Sequence, residues 1–140
     1  MNIHQASCSC GQLTLRAGGE PVRVSICHCR DCQRRSGSAF AVQARFPAGN
    51  VTVEGQSTPY VRAGDKGRIA RFFFCPACGT TVFFRLDADP DHVAVALGTL
   101  DDPARLPPRS PCSASGSITG SGSRPISSST TEQLLQRLGQ

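Results

Sequence analysis

Seven of the chain's eight cysteines fall into three tight clusters: Cys8-Ser9-Cys10, Cys27-His28-Cys29-Arg30-Asp31-Cys32 and Cys75-Pro76-Ala77-Cys78. Thiols paired at one-residue and two-residue spacing are how a chain grips a soft metal ion, and zinc is the reading that fits them. A structural zinc closes its tetrahedron with four protein ligands, whereas a catalytic zinc takes three and keeps a position open. Seven clustered cysteines therefore divide as four plus three, which predicts one closed site and one open site. The eighth, Cys112, stands alone in a Ser-rich stretch.

An even cysteine count in a short chain also suits a secreted disulfide scaffold. Against that, Met1 to Cys10 has no basic start followed by an apolar core and a small-residue cleavage site. The longest apolar runs, such as Val93 to Leu97, are far too short to span a bilayer. The expectation is a cytoplasmic protein without a membrane segment, whose thiols stay reduced and bind metal.

The length of 140 residues suits one domain with a modest core, and with no Trp and few aromatic residues that core gains from two metal sites. The formal net charge of +5 invites a nucleic-acid partner, but its distribution argues against one. Residues 103–140 hold four Arg and one Glu and carry +3 of it, leaving +2 for residues 1–102. Seven thiolates and two Zn²⁺ ions would take that part to −1, so its basic residues read as compensation for thiolate-rich sites and no nucleic acid is expected.

Short runs rich in Val, Phe, Thr and Ile, bounded by turn residues, predict strands at Leu13 to Arg16, Val22 to Ile26, Ala39 to Phe46, Val51 to Glu54, Ile69 to Phe74, Thr81 to Leu86 and Val93 to Leu97. One short helical turn is expected around Asp31 to Ser36, giving a mainly β fold. On a strand, residues i and i+2 share a face, so Cys8 with Cys10, and Cys27 with Cys29, are expected to aim two sulfurs at one ion. Cys75-Pro76-Ala77-Cys78-Gly79 reads as a knuckle in which Gly79 takes a positive φ and turns its N–H toward sulfur. Cys27, Cys29 and Cys32 form a three-thiolate claw. Strand alternation points His28 away from it, while His4 and His92 have no partner at ligand spacing.

Arg30, Arg34 and Arg35 crowd the claw, and Arg34 and Arg35 are the candidates for holding an anionic ligand's carboxylates. Ser36-Gly37-Ser38 is a candidate source of backbone N–H groups for an anion. Phe72-Phe73-Phe74 and Phe83-Phe84 are expected to divide between a core and the opposite face of a sheet.

With their flanks, the clusters resemble the glutathione-dependent formaldehyde-activating enzyme family, also called the centromere protein V family. The matching residues are Cys8-x-Cys10-Gly11, Cys27-His28-Cys29-x-x-Cys32-Gln33-Arg34 with Ser36-Gly37, Phe74-Cys75-x-x-Cys78-Gly79-Thr80 and Gly98-Thr99-Leu100-Asp101-Asp102-Pro103, so the resemblance covers residues 7–103. It implies a β-tent fold in which Cys8, Cys10, Cys75 and Cys78 hold a structural zinc and Cys27, Cys29 and Cys32 a catalytic one. Counting alone yields four plus three; which pairs meet across the sequence comes from the resemblance. The implied activity joins glutathione and formaldehyde, or a related small aldehyde, into S-hydroxymethylglutathione: a zinc-dependent carbon–sulfur lyase run in the synthetic direction. Arg34 and Arg35 would then meet the glutathione carboxylates. The competing class is a non-catalytic zinc module that binds a protein partner.

Residues 1–106 are read as the zinc-binding domain and 107–140 as a Ser/Gly/Pro-rich tail without aromatic residues, irregular because it has too little apolar surface to order itself. Within it, Thr131 to Leu138 suggests a short helix, with Ser129 and Glu132 at capping-box spacing.

Overall fold

The computed structural model describes residues 1–106 and the backbone of Ser110–Pro111. In chain order it comprises β1 (Ile3–Ser7), β2 (Thr14–Gly18), β3 (Arg23–Cys27), α1 (Arg30–Ser36), β4 (Ala41–Pro47), β5 (Val51–Glu54), β6 (Thr58–Ala63), β7 (Ile69–Phe74), β8 (Thr81–Leu86), β9 (Asp89–Ala96) and β10 (Ser110–Pro111). A three-stranded sheet has the order β1-β2-β5, and a seven-stranded sheet the order β10-β3-β4-β9-β8-β7-β6. Every pairing is antiparallel except the short parallel one between β10 and β3.

One core holds the two sheets together. Leu13, Leu15 and Ala17 from the small sheet and its leading loop pack with Phe46, Val82, Phe83, Val93 and Val95 from the large one. Apart from Val82, which shares the core with Phe83 where the β7–β8 register shifts, the two-residue period of a strand decides the rest. Phe83 and Val95 face this core, so their neighbours Phe84 and Ala94 face the other way and join Ala70 and Phe72 in a second cluster. The phenylalanine run thus divides between the faces as its alternation requires. Cross-strand register matches Phe72 with Phe84 and Phe73 with Phe83, and the rings follow, with centroids 5.1 and 4.6 Å apart. Aromatic cross-strand pairs of this kind contribute about 0.2–1 kcal/mol each.

The mainly β class and, among the described residues, one short α-helix agree with the pattern of the sequence, and β5, β7 and β8 have the expected bounds. Three strands were not foreseen, β1, β6 and β10. β6 is an edge strand whose residues are almost all exposed, so it lacks the apolar alternation that marks a strand, and it carries Pro59, which an edge tolerates. Ser110–Pro111, within the stretch expected to be irregular, pairs with Ser25 and Ile26 of β3. The remainder of the tail, with Cys112 and the Thr131 to Leu138 segment, lies outside the described residues.

Candidate metal centres and adjoining cavities

Cys8 and Cys10 follow the end of β1, and Cys75 and Cys78 occupy the turn between β7 and β8. Although 65 residues separate Cys10 from Cys75, their sulfurs lie 3.6 Å apart, and those of Cys8 and Cys10 lie 3.5 Å apart. All four sulfurs fall within 4.8 Å of one another. A sulfur tetrahedron around zinc has edges of about 3.8 Å, from Zn–S bonds of about 2.3 Å. The cluster therefore has the size of a metal cage, and its separations are far beyond a disulfide bond length of about 2.05 Å.

Two local expectations need correction. Cys8 and Cys10 do not share a strand face: they lie in a turn closed by the Gly11 N–H donating to Cys8 O at 2.9 Å. Strand geometry could not place them, because the chain must leave β1 to bring Cys10 against the second knuckle. Gly79 does take a positive φ, +77°, but its N–H donates to Cys75 O at 2.8 Å. The amide facing the Cys75 sulfur is that of Ala77, at 3.4 Å.

Several groups around the cage were not legible in the cysteine spacing. Gln12 donates its side-chain amide to the Cys75 sulfur at 2.9 Å and to Gln56 O at 2.7 Å, and accepts from the Gln56 N–H at 2.9 Å. Thr80 joins the two knuckles: its hydroxyl lies 2.9 Å from that of Ser9 and 3.3 Å from the Cys78 sulfur. The thiol pKa values are split as crowded like charges require. The Thr80 hydroxyl and then the Thr80 and Cys10 N–H groups bring Cys78 down to about 5. The Gln12 N–H also favours the Cys10 thiolate, yet the Cys8 and Cys75 thiols beside it push Cys10 up to about 11. A divalent cation relieves that mutual repulsion, so the donor set fits a closed tetrathiolate metal.

The second cluster gathers on the turn from β3 into α1. Cys27 ends β3, Cys29 caps α1 and accepts the Cys32 N–H at 3.4 Å, and Cys32 lies in the first turn. The Cys27 and Cys29 sulfurs converge as expected, but not through a shared strand face, because the strand stops at Cys27 and the cap turns the chain. The three sulfurs lie within 4.8 Å of one another, and among the described residues no fourth His, Cys, Asp or Glu joins them. Burial pushes the Cys27 thiol up to about 12, against the favourable Cys29 N–H and with help from the Cys32 and Cys29 thiols. Burial likewise raises Cys32, while the Arg35 guanidinium opposes it. For Cys29 burial acts upward, but N–H donation from Cys32 and Asp31 and the neighbouring thiols carry it below its ordinary value. Three thiols whose ionisation is this divided fit a metal held by three ligands.

The segment around α1 is tied down by Gln33, whose side-chain amide donates to His28 O and Ala39 O at 3.1 and 3.0 Å. His28 stays out of the claw, as expected, with its ring centroid 5.6 Å from that of Phe40. The Ser36-Gly37-Ser38 loop does not present free amides. The Gly37 N–H caps α1 on Gln33 O at 2.8 Å, and the Ser38 N–H is taken by the Ser36 hydroxyl at 3.2 Å. His4 packs against Phe46, and His92 bonds Asp89, so neither is near a cysteine cluster.

Two cavities flank the claw helix. One of about 580 Å³ runs between α1 and the second knuckle, lined by Arg35, Phe40, Ala41, Val42, Cys78 and Thr80 among others. Ala41 is the strand partner of Cys27, although none of the three claw cysteines itself lines the cavity. The other, of about 500 Å³, lies between α1 and β6 and includes both Arg34 and Arg35. Arg35 lines both.

The fold has a known counterpart. A solved Rhodobacter sphaeroides protein superposes with a TM-score of 0.58 at 23% identity, covering 76% of this chain and 97% of its own. That likeness speaks for the fold alone. The family described as glutathione-dependent formaldehyde-activating enzyme matches residues 3–114, a span that takes in both cysteine clusters and the walls of both cavities, and the chain belongs to that family.

Proposed function

We propose that the chain is a zinc-dependent carbon–sulfur lyase that joins glutathione to formaldehyde, or to a related small aldehyde, at the three-cysteine claw. The observation that carries this reading is the count of ligands. Three thiols converge without a fourth donor among the described residues, next to Ala41 and Arg35 in the wall of a cavity of small-molecule size, while the other four thiols converge as a set of four. A zinc ion with an open position supplies a Lewis acid that polarises a carbonyl and lowers the pKa of a bound thiol. Cys27, Cys29 and Cys32 would hold that ion, and Cys8, Cys10, Cys75 and Cys78 the structural one.

In the reaction, the thiol sulfur forms a bond to the carbonyl carbon, the carbonyl π pair moves to oxygen and the thiol proton ends on that oxygen. Nothing is oxidised or reduced. The chain's share is to bring the two reactants together and keep them oriented. Val42 and Leu97 give the larger cavity an apolar wall. Arg34 and Arg35 supply positive charge for the thiol's carboxylates.

Consumption of glutathione by the purified, zinc-loaded protein in the presence of formaldehyde tests the reading. The expected result is a rate proportional to protein, above the uncatalysed addition, and lost in Cys29→Ser. No rate above background would refute catalysis and favour the zinc-dependent interaction module.

A further inference from the structure

The smaller cavity has a charge pattern that the thiol clusters do not explain. Three guanidinium groups line it, those of Arg34, Arg35 and Arg62, with one carboxylate, Asp31. Asp31 is already engaged by Arg62 at 2.8 Å, and Arg34 and Arg35 have no ion pair among the described residues. Arg35 and Arg62 converge over one ring: their guanidinium carbons lie 5.2 and 5.6 Å from the Phe72 centroid, and that of Arg35 also lies 5.6 Å from Phe84.

Two cations drawn to one aromatic ring repel each other, and the ring holds each by only about 0.5–1 kcal/mol at exposed sites. Both Nε atoms are buried without an acceptor, so the fold keeps the pair convergent while leaving part of its hydrogen bonding unmet. A guanidinium held near a ring keeps its donor fork, the geometry that matches a carboxylate, available to a ligand. The backbone amides of Gly37 and Ser38 are occupied, so no amide cradle of the kind that favours phosphate opens from that loop.

We propose that the cavity between α1 and β6 binds the carboxylate end of a small organic acid, held by Arg35 and Arg62 beside Phe72, with Asp31 positioning the Arg62 guanidinium. This deepens the lyase reading and rests on it only for the ligand's other end: a thiol anchored here by its carboxylate reaches past Arg35, which also lines the cavity beside the claw. Arg62 is thereby a specificity-determining residue from a strand that carries no cysteine.

The test is titration calorimetry of the zinc-loaded protein with S-methylglutathione, which keeps both carboxylates and has no free thiol. Its diethyl ester and inorganic phosphate serve as comparisons. The acid should bind, more weakly as salt rises, and the ester should bind about tenfold or more weakly, the scale of one charge-assisted hydrogen-bond pair. Arg35→Met and Arg62→Met should each weaken the acid about tenfold or more with zinc content and melting unchanged, and Arg62→Lys should weaken it less, since charge without the fork is retained. Should a Met variant fold poorly, the ester and phosphate comparisons on the wild-type chain decide. Equal binding of acid and ester, tighter binding of phosphate, no binding at millimolar acid, or folded Met variants that bind as wild type would overturn the site. Binding without formaldehyde-dependent turnover would refute the lyase reading alone; turnover with unchanged kinetics in Arg62→Met would refute the carboxylate site alone.

Discussion

Gly55→Ala should damage this protein more than any ordinary glycine substitution, and the reason leads to the four-thiol cluster. Gly55 follows β5 with φ +93°, a conformation that costs an L residue about 1–2 kcal/mol. A Cβ there would lie 1.9 Å from Gln12 O, 2.9 Å from Gln12 C and 3.0 Å from Leu13 Cα. These are backbone atoms and cannot swing aside. Leu13 is fully buried and Gln12 donates to the Cys75 sulfur, so neither can retreat without moving the core or the cage. Overpacking of this kind typically costs about 1–3 kcal/mol, which with the dihedral strain totals roughly 2–5 kcal/mol. For a domain near 100 residues, each kcal/mol shifts Tm by about 4–8 °C, so thermal denaturation of the zinc-loaded variant should show a fall of roughly 8–40 °C. Zinc should also leave the tetrathiolate site faster in a chromophoric-chelator assay. Gly67→Ala is the control, since Gly67 has φ +73° and nothing within 4 Å of its added Cβ; it should show the dihedral strain alone. If Gly55→Ala melts no lower than Gly67→Ala, the close approach of Gln12 is not what requires glycine here.

Chelator titration with metal analysis should find two zinc ions per chain, one leaving before the other, because a closed tetrathiolate offers no exchangeable position and the claw does; a single ion would count against the four-plus-three division. Cys75→Ser should abolish folding, since structural thiolate zinc contributes on the order of 10 kcal/mol, whereas Cys29→Ser should lose one zinc and activity with the domain still folded by circular dichroism. Equal loss of Tm in the two variants would contradict that division of labour. Truncation after Leu106 removes the β10 pairing with Ser25 and Ile26, whereas truncation after Pro111 keeps it. The shorter form should melt a few degrees lower, at about 1 kcal/mol per hydrogen bond lost, and identical melting curves would show that the pairing contributes nothing.

The local chemistry of this protein was legible in its sequence because it depends on neighbours in the chain. Cysteine spacing is enough to announce thiol clusters that could hold a metal, and their number matches the groups of four and three that the fold assembles. Alternation along Phe72-Phe73 and Phe83-Phe84 likewise foretold two faces, since a strand's period is set by its own backbone. What spacing could not announce is anything made across the fold. That Cys8 and Cys10 meet Cys75 and Cys78 follows from how two strand ends are brought together, and resemblance to a family, not geometry, suggested it. Gln12 and Thr80 look like ordinary loop residues until the knuckles close on them. Arg62 is the clearest case: it sits on an exposed edge strand without a hydrophobic signature, and only the antiparallel pairing of β6 with β7 places it over Phe72, the ring that Arg35 of α1 also reaches. Ligand type is a property of the side chain and its immediate spacing, so the sequence carries it. The convergence of charges on a cavity depends on contacts between distant segments, which come into being only when the sheet is assembled.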